Sequence, residues 1–420
     1  MSVAQPKIEV FTERAKLAAG REQTVDVLVR VHPPEIVVGV SRRRLNLGVV
    51  LDRSGSMGGE KMQRAIEAAG YCVDQLLPSD RLSVVIFDDA VDVLIPSQPV
   101  EDKPGLKRLL SRVHARNSTA LHEAWVHGGM QVSEHLDAGA VNRVLLITDG
   151  LANVGLTNTD EIVTQAKGLF ERGVSTSTVG IGADFNEDLL MPMAQAGGGN
   201  AWHVAEAADM QRIFSVELEG LLAQFAHNVS LGLVPSDAVS VADQLNDFEL
   251  TETGRYKLPD MQSGSPLDVV LRLRIPAQEA GSRMRLLDLR LGYTPREASG
   301  AEVAKHVFEV EFARAEEVET LPANLEVEKA VQLLMSARAR REAVAHMDAG
   351  RYEQATASVV SARQRWEAWP SFSPADADVM SDYADLEQVS ESLGDRGRDS
   401  MTRKLMQYSS LSRRNSKKTR

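Results

Sequence analysis

Short apolar runs alternate with stretches of helical spacing across residues 45–225 of this 420-residue chain. The runs at 45–51, 82–87, 143–147, 174–179 and 201–204 predict strands, with a shorter one at 91–95 behind a turn at Asp88-Asp89. Between them, 60–77 repeats Met62, Ile66, Ala69, Val73 and Leu76-Leu77 at helical spacing, and Pro78 with Ser79-Asp80 ends it. Residues 103–113, 121–136, 161–171, 187–194 and 207–225 predict further helices. Strand and helix in turn over this length specify the α/β class, with a doubly wound, mostly parallel sheet.

The flanks read differently. Residues 8–12 and 25–31 alternate apolar and polar positions, as do 228–233, 247–252, 267–275, 284–293 and 306–312 after the last helix. Such spacing suggests an antiparallel β-sandwich. Two N-terminal strands make a poor sheet alone, so they are expected to pair with the later ones, leaving the α/β domain as an insertion in the sandwich. From 325 the composition turns helical: 325–348, then 350–366, whose start at Gly350-Arg351-Tyr352-Glu353-Gln354-Ala355 looks like a tetratricopeptide hairpin. Repeats need neighbours to bury their faces, and one unit alone predicts a plain helical hairpin docked on the sandwich. Residues 375–392 resume the helix, a hinge is expected at Gly394–Gly397, and a last helix at 400–408. The expected division is 1–43 and 227–320 for the sandwich, 44–226 for the α/β domain, 321–410 for the helical region, and 411–420 for a basic, disordered tail.

The run Leu-Asn-Leu-Gly-Val-Val-Leu at 45–51 ends in Asp52, and Ser54 and Ser56 follow at alternate positions in a Gly-containing turn. Ligands of parallel sheets bind at this strand edge. One carboxylate and two hydroxyls are hard oxygen donors suited to Mg²⁺ or Mn²⁺, which keep part of their shell for water or a partner's ligand. Taken alone, Asp-x-Ser-x-Ser is more often an ordinary turn or helix cap. Two further positions change that weighing: Thr119, just ahead of a helix in Asn-Ser-Thr-Ala-Leu, and Asp149, in Thr-Asp-Gly at the end of a central strand.

This order and spacing resembles the von Willebrand factor type A (VWA) family over residues 44–226. The resemblance implies a metal-ion-dependent adhesion site made of Asp52, Ser54, Ser56, Thr119 and Asp149, with the two serines on the metal directly. It also implies a partner protein that supplies a Glu or Asp carboxylate to the open position, and a last helix (207–225) that shifts in some members. Many members carry Gly where this chain has Asn117; Asn tolerates left-handed backbone angles better than most residues. Several bacterial proteins resemble the inserted layout.

Enzymatic readings find little support. Gly58-Gly59-Glu60-Lys61 matches only the tail of a phosphate-binding P-loop, Gly180-Ile181-Gly182 is too short for a dinucleotide fingerprint, and no Gly-x-Ser-x-Gly elbow is present. His114, His122, His127 and His135 lack the i, i+4 spacing of paired helical ligands. Cys72 is the single cysteine, which excludes an intrachain disulfide and suits a reducing compartment. No apolar stretch reaches membrane-spanning length, so a cytoplasmic location is expected. The net charge is −12, while residues 401–420 hold seven Lys or Arg and no acid. Nucleic-acid binding by the acidic body is therefore not expected, although the basic tail could touch nucleic acid or an acidic surface.

The reading is of a non-enzymatic, metal-dependent interaction module or adaptor. The alternatives are a regulatory subunit of an enzyme complex such as the partner of a AAA+ ATPase, a Mg²⁺-dependent hydrolase, and a structural role with a dead site.

Overall fold

The structure is a computed structural model that describes residues 5–35, 44–116, 119–137, 139–150, 154–182, 184–206, 209–295, 300–373, 375–396 and 400–415. Strands β1 (Lys7–Thr12), β2 (Lys16–Ala18) and β3 (Gln23–His32) come first. The alternating region follows as β4 (Leu45–Asp52), α1 (Glu60–Gln75), β5 (Arg81–Phe87), β6 (Val91–Pro99), α2 (Lys103–Leu110) and α3 (Leu121–Ser133). It continues as β7 (Val141–Thr148), α4 (Thr159–Glu171), β8 (Ser175–Ile181), α5 (Glu187–Ala196), β9 (Gly198–Val204) and α6 (Met210–Leu222). Strands return as β10 (Gln224–Pro235), β11 (Ser240–Gln244), β12 (Tyr256–Lys257), β13 (Met261–Gln262), β14 (Leu267–Ile275), β15 (Arg283–Pro295) and β16 (Glu302–Ala313). Helices α7 (Ala315–Thr320), α8 (Leu325–Asp348), α9 (Tyr352–Glu367), α10 (Ala377–Arg396) and α11 (Ser400–Arg414) complete the chain. These elements fall into two compact units: β4 to α6 form one, and β1–β3 with β10 to α11 form the other.

The unit from β4 to α6 has the expected α/β fold. Its sheet runs β6-β5-β4-β7-β8-β9, parallel except for the antiparallel edge strand β6. All eight residues of β4 are buried, as a strand covered by helices on both faces requires. A Cβ on Gly48 would come within 2.7 Å of Val132 Cγ2, so the glycine lets α3 lie close against β4. Met62, Ala65, Ala69, Cys72 and Val73 turn one face of α1 into the same core as Leu47, Val49 and Leu51. Asp52 therefore leaves the sheet at the carboxyl edge of a fully enclosed strand.

In the other unit, β1-β3-β14-β11 form one sheet and β12-β10-β15-β16-β2, with β13 also paired to β10, another, antiparallel apart from the β16–β2 pair. A single apolar core takes Val25, Val27, Val29 and Val31 from β3 and Leu287, Leu289 and Leu291 from β15. On the opposite face of β3, Leu28 packs with Val270 of β14 and with Val327, Ala330 and Leu334 of α8. The helices share a further core around Trp366, within which Arg340 Nη1 lies 2.8 Å from Asp382 Oδ1, both fully buried. Among the described residues no helix is long and apolar enough to cross a membrane.

Two expectations are corrected. Residues 247–252 are not a strand: Asp247 has φ 55°, outside β geometry, and the pairing strand lies earlier at β11. Its carboxylate instead accepts from Arg338 and Arg341 of α8. The tail expected to be solvated from 411 is helical to Arg414: Leu411 is buried, and Arg414 Nε donates to Asn246 O at 2.6 Å. Backbone carbonyls distant in sequence give this basic stretch a partner. Residues 416–420 and 397–399, on which the rest of the tail and part of the hinge fall, lie outside the described residues; Gly394 is within α10.

Candidate metal centre

Strands β4 and β7 are parallel neighbours with Leu51 opposite Ile147. That register brings Asp52 and Asp149 out side by side at the carboxyl edge, and both are fully buried. Asp52 folds the chain back on itself: its Oδ1 accepts the Ser54 amide at 2.7 Å, and its Oδ2 accepts the Thr148 hydroxyl at 2.5 Å. A short 3₁₀ turn, Gly55–Met57, follows. Met57 is fully buried in the α/β core, and this anchor leaves the preceding Ser56 exposed at the surface.

The hydroxyls meet the second carboxylate there. Ser54 Oγ lies 3.2 Å from Ser56 Oγ, and Ser56 Oγ donates to Asp149 Oδ1 at 2.7 Å. Lys61 Nζ, from the first turn of α1, donates to the other oxygen, Asp149 Oδ2, at 2.5 Å. Thr119 is buried and lies near the same place. A Cβ placed on Gly150 would stand 3.4 Å from Thr119 Oγ1 and 3.7 Å from Asp52 Oδ2. Asp52, Ser54, Ser56, Thr119 and Asp149 are thus drawn from three segments to one edge. Asn117, noted for its departure from the family pattern, lies outside the described residues.

Burial pushes the Asp52 carboxyl up to about 6, opposed by the Thr148 and Ser54 hydrogen bonds and reinforced by the nearby charge of Asp149. Two enclosed carboxylates with three hydroxyls beside them fit a small hard cation such as Mg²⁺ or Mn²⁺. Among the described residues no group of three His, Cys, Asp or Glu gathers where it could hold a metal, so a site here depends on its hydroxyl donors. His122 hydrogen-bonds Gln165 at 2.9 Å instead.

Sequence reasoning passed over Lys61, Thr148 and a set of ions beside the site. The expected turn at Asp88 is present, since its Oδ1 accepts the Ala90 amide at 2.9 Å. Its fully buried carboxylate also faces Arg53 Nε at 3.1 Å and accepts from Arg116 Nε. Burial alone would raise the Asp88 carboxyl, but the Ala90 amide and the Arg116 and Arg53 guanidiniums hold it below the usual carboxylate value. Position within the Asp-x-Ser-x-Ser motif was the one available signal for Arg53.

Residues 46–216 match the von Willebrand factor type A domain. An uncharacterized protein of Synechocystis sp. is 26% identical over 245 residues, covering 55% of this chain and 57% of that protein. Inter-alpha-trypsin inhibitor heavy chain H4 of Homo sapiens is 26% identical over 227 residues, covering 51% of this chain and 24% of its own length. The alignments thus take in less than two thirds of these relatives. Among solved structures, a von Willebrand factor type A protein from Catenulispora acidiphila superposes with a TM-score of 0.67 at 16% identity, covering 96% of each chain.

Proposed function

We propose that this chain, which carries a VWA domain, is a non-enzymatic adaptor that binds an acidic side chain of a partner protein through a divalent cation. Asp52, Ser54, Ser56, Thr119 and Asp149 would hold Mg²⁺, or Mn²⁺ in its place. The observation that carries the reading is the Ser56 hydroxyl set between Ser54 Oγ and Asp149 Oδ1, at 3.2 and 2.7 Å. Nothing but a turn is needed to explain Asp52 with Ser54; the link from that turn to a carboxylate just past the neighbouring strand is what a shared cation calls for. With neutral hydroxyls among its donors, the bound ion keeps net positive character and attracts a carboxylate.

The reading places the protein in the cytoplasm. Its single thiol, Cys72, is enclosed in the core, and burial pushes it up to about 12, so it is a packing group with little thiolate character.

The test is capture of partners from native lysate on the full chain, with and without EDTA, beside Asp52→Ala. A partner lost in both EDTA and the variant supports the reading. A partner retained in all three moves recognition away from the metal centre.

A further inference from the structure

Three segments meet around the candidate centre: the end of β4 with the turn carrying Ser54, the end of β5 with Asp88, and the α2–α3 connection carrying Thr119. Phe87, the last residue of β5, stands opposite Asp52 in the parallel register. One residue past β4, the Arg53 amide donates to Phe87 O at 2.8 Å. Asp88 thereby emerges beside Arg53, the residue between two candidate ligands.

The α2–α3 connection is tied to this corner on both sides of Thr119. Before it, the Arg116 amide donates to Arg53 O at 2.7 Å; after it, the Ala120 amide donates to Asp88 O at 2.7 Å. Side chains repeat the pattern. The buried Asp88 carboxylate meets the guanidinium of Arg53 from the first segment and that of Arg116 from the third. Asp92 on β6 backs both arginines, accepting from Arg53 Nη2 and lying 3.6 Å from Arg116 Nη2. Two cations thus share two carboxylates. Asp88 is the fully buried one, whereas Asp92 is 55% exposed.

We infer that Asp88 is a positioning residue: it fixes the segment bearing Thr119 against the segment bearing Asp52 and Ser54, and so sets metal affinity without being a ligand. This inference rests on the proposed metal centre. A carboxylate in this role must satisfy two guanidiniums and an amide at once. Asn in its place keeps the amide acceptor that makes the turn but removes the charge that draws Arg53 and Arg116 together.

The experiment uses the full chain and compares wild type, Asp88→Asn and Asp92→Asn. Mg²⁺ is titrated calorimetrically, and hydrogen exchange at the Ala120 amide is followed in EDTA. Asp88→Asn is expected to weaken Mg²⁺ about tenfold and to speed Ala120 exchange, with Asp92→Asn close to wild type in both. A role confined to stability would lower the melting temperature in EDTA and leave Mg²⁺ affinity unchanged, which overturns the inference. Unchanged exchange at Ala120 overturns it as well. If Asp88→Asn does not fold, Arg116→Gln takes its place with the same expected direction, and Arg116→Lys should recover part of the affinity. Failure of wild type to bind Mg²⁺ would sink the metal reading itself, and the exchange arm then separates that failure from loss of the Asp88 tie.

Discussion

Lys61 and Asp149 form an ion pair, Nζ to Oδ2 at 2.5 Å, on the oxygen opposite the one that accepts from Ser56. The amine is partly exposed at 30%, while the carboxylate is fully buried. An ammonium in this position competes with a divalent cation for the same acid.

Removing that charge should therefore tighten metal binding. Lys61→Met is expected to bind Mg²⁺ about fivefold more tightly, the equivalent of roughly 1 kcal/mol for a partly exposed pair. Lys61→Arg, which keeps the charge, should show no such gain. Calorimetric titration of the three proteins checks this, and weaker binding by Lys61→Met would mean that the lysine orients Asp149 for the metal.

Asp52 gives the site a pH dependence of known sign. Its carboxyl is raised to about 6, chiefly by burial, so the folded chain keeps a proton that the unfolded chain has released above about pH 4. The resulting stabilisation is complete below that value and is lost as pH rises through 6. In EDTA at pH 8, Asp52→Asn is accordingly expected to melt at or above the wild-type temperature. Mg²⁺ binding requires the ionised carboxylate, so wild-type affinity should fall up to about tenfold per pH unit below 6. Affinity measured from pH 5 to 8 and found flat would place the metal elsewhere.

Met57 holds the turn that carries Ser54 and Ser56 from beneath. Met57→Ala is expected to cost about 2–5 kcal/mol by urea unfolding, as large-to-small changes at buried sites do. It should also reduce the rise in melting temperature caused by Mg²⁺, because Ser56 then rests on an unanchored turn.

In the helical region, Asp382 accepts from Arg340 Nη1 at 2.8 Å and from Trp366 Nε1 at 3.0 Å. Asp382→Ala leaves a buried guanidinium without its counter-charge and should destabilise the unit by about 3–5 kcal/mol. Replacing both ions, as Arg340→Met with Asp382→Leu, should cost much less; denaturant unfolding of the two variants distinguishes the outcomes.

Where burial is decided locally, the chain was legible. Strand β4 reads as a continuous apolar run because both its faces are covered, and the candidate positions Asp52, Ser54 and Ser56 follow from where that run stops. That Thr119 and Asp149 come to the same edge as Asp52 was legible from spacing and from a family resemblance. Contacts set by distant residues were not. Arg53 and Asp88 lie 35 positions apart and become neighbours through the β4–β5 register. Residues 247–252 have strand-like alternation, yet Asp247 takes a left-handed conformation against the arginines of α8. Arg413 and Arg414 look solvated by composition, while Arg413 Nε lies 3.6 Å from buried Asp382 and Arg414 caps loop carbonyls. Charge in a sequence window does not reveal its counter-charge elsewhere.

Strand β3 has one sheet neighbour, β1, nearby in the chain and the other, β14, roughly 240 residues later. During synthesis at about 5–20 residues per second, Val27, Leu28 and Val29 wait on the order of 10–50 s for that partner to be made. The intervening α/β unit has time to fold meanwhile, while the β1–β3 hairpin presents an open apolar edge on the ribosome. The second sheet neighbour of β3 therefore arrives only after the whole α/β unit has been made.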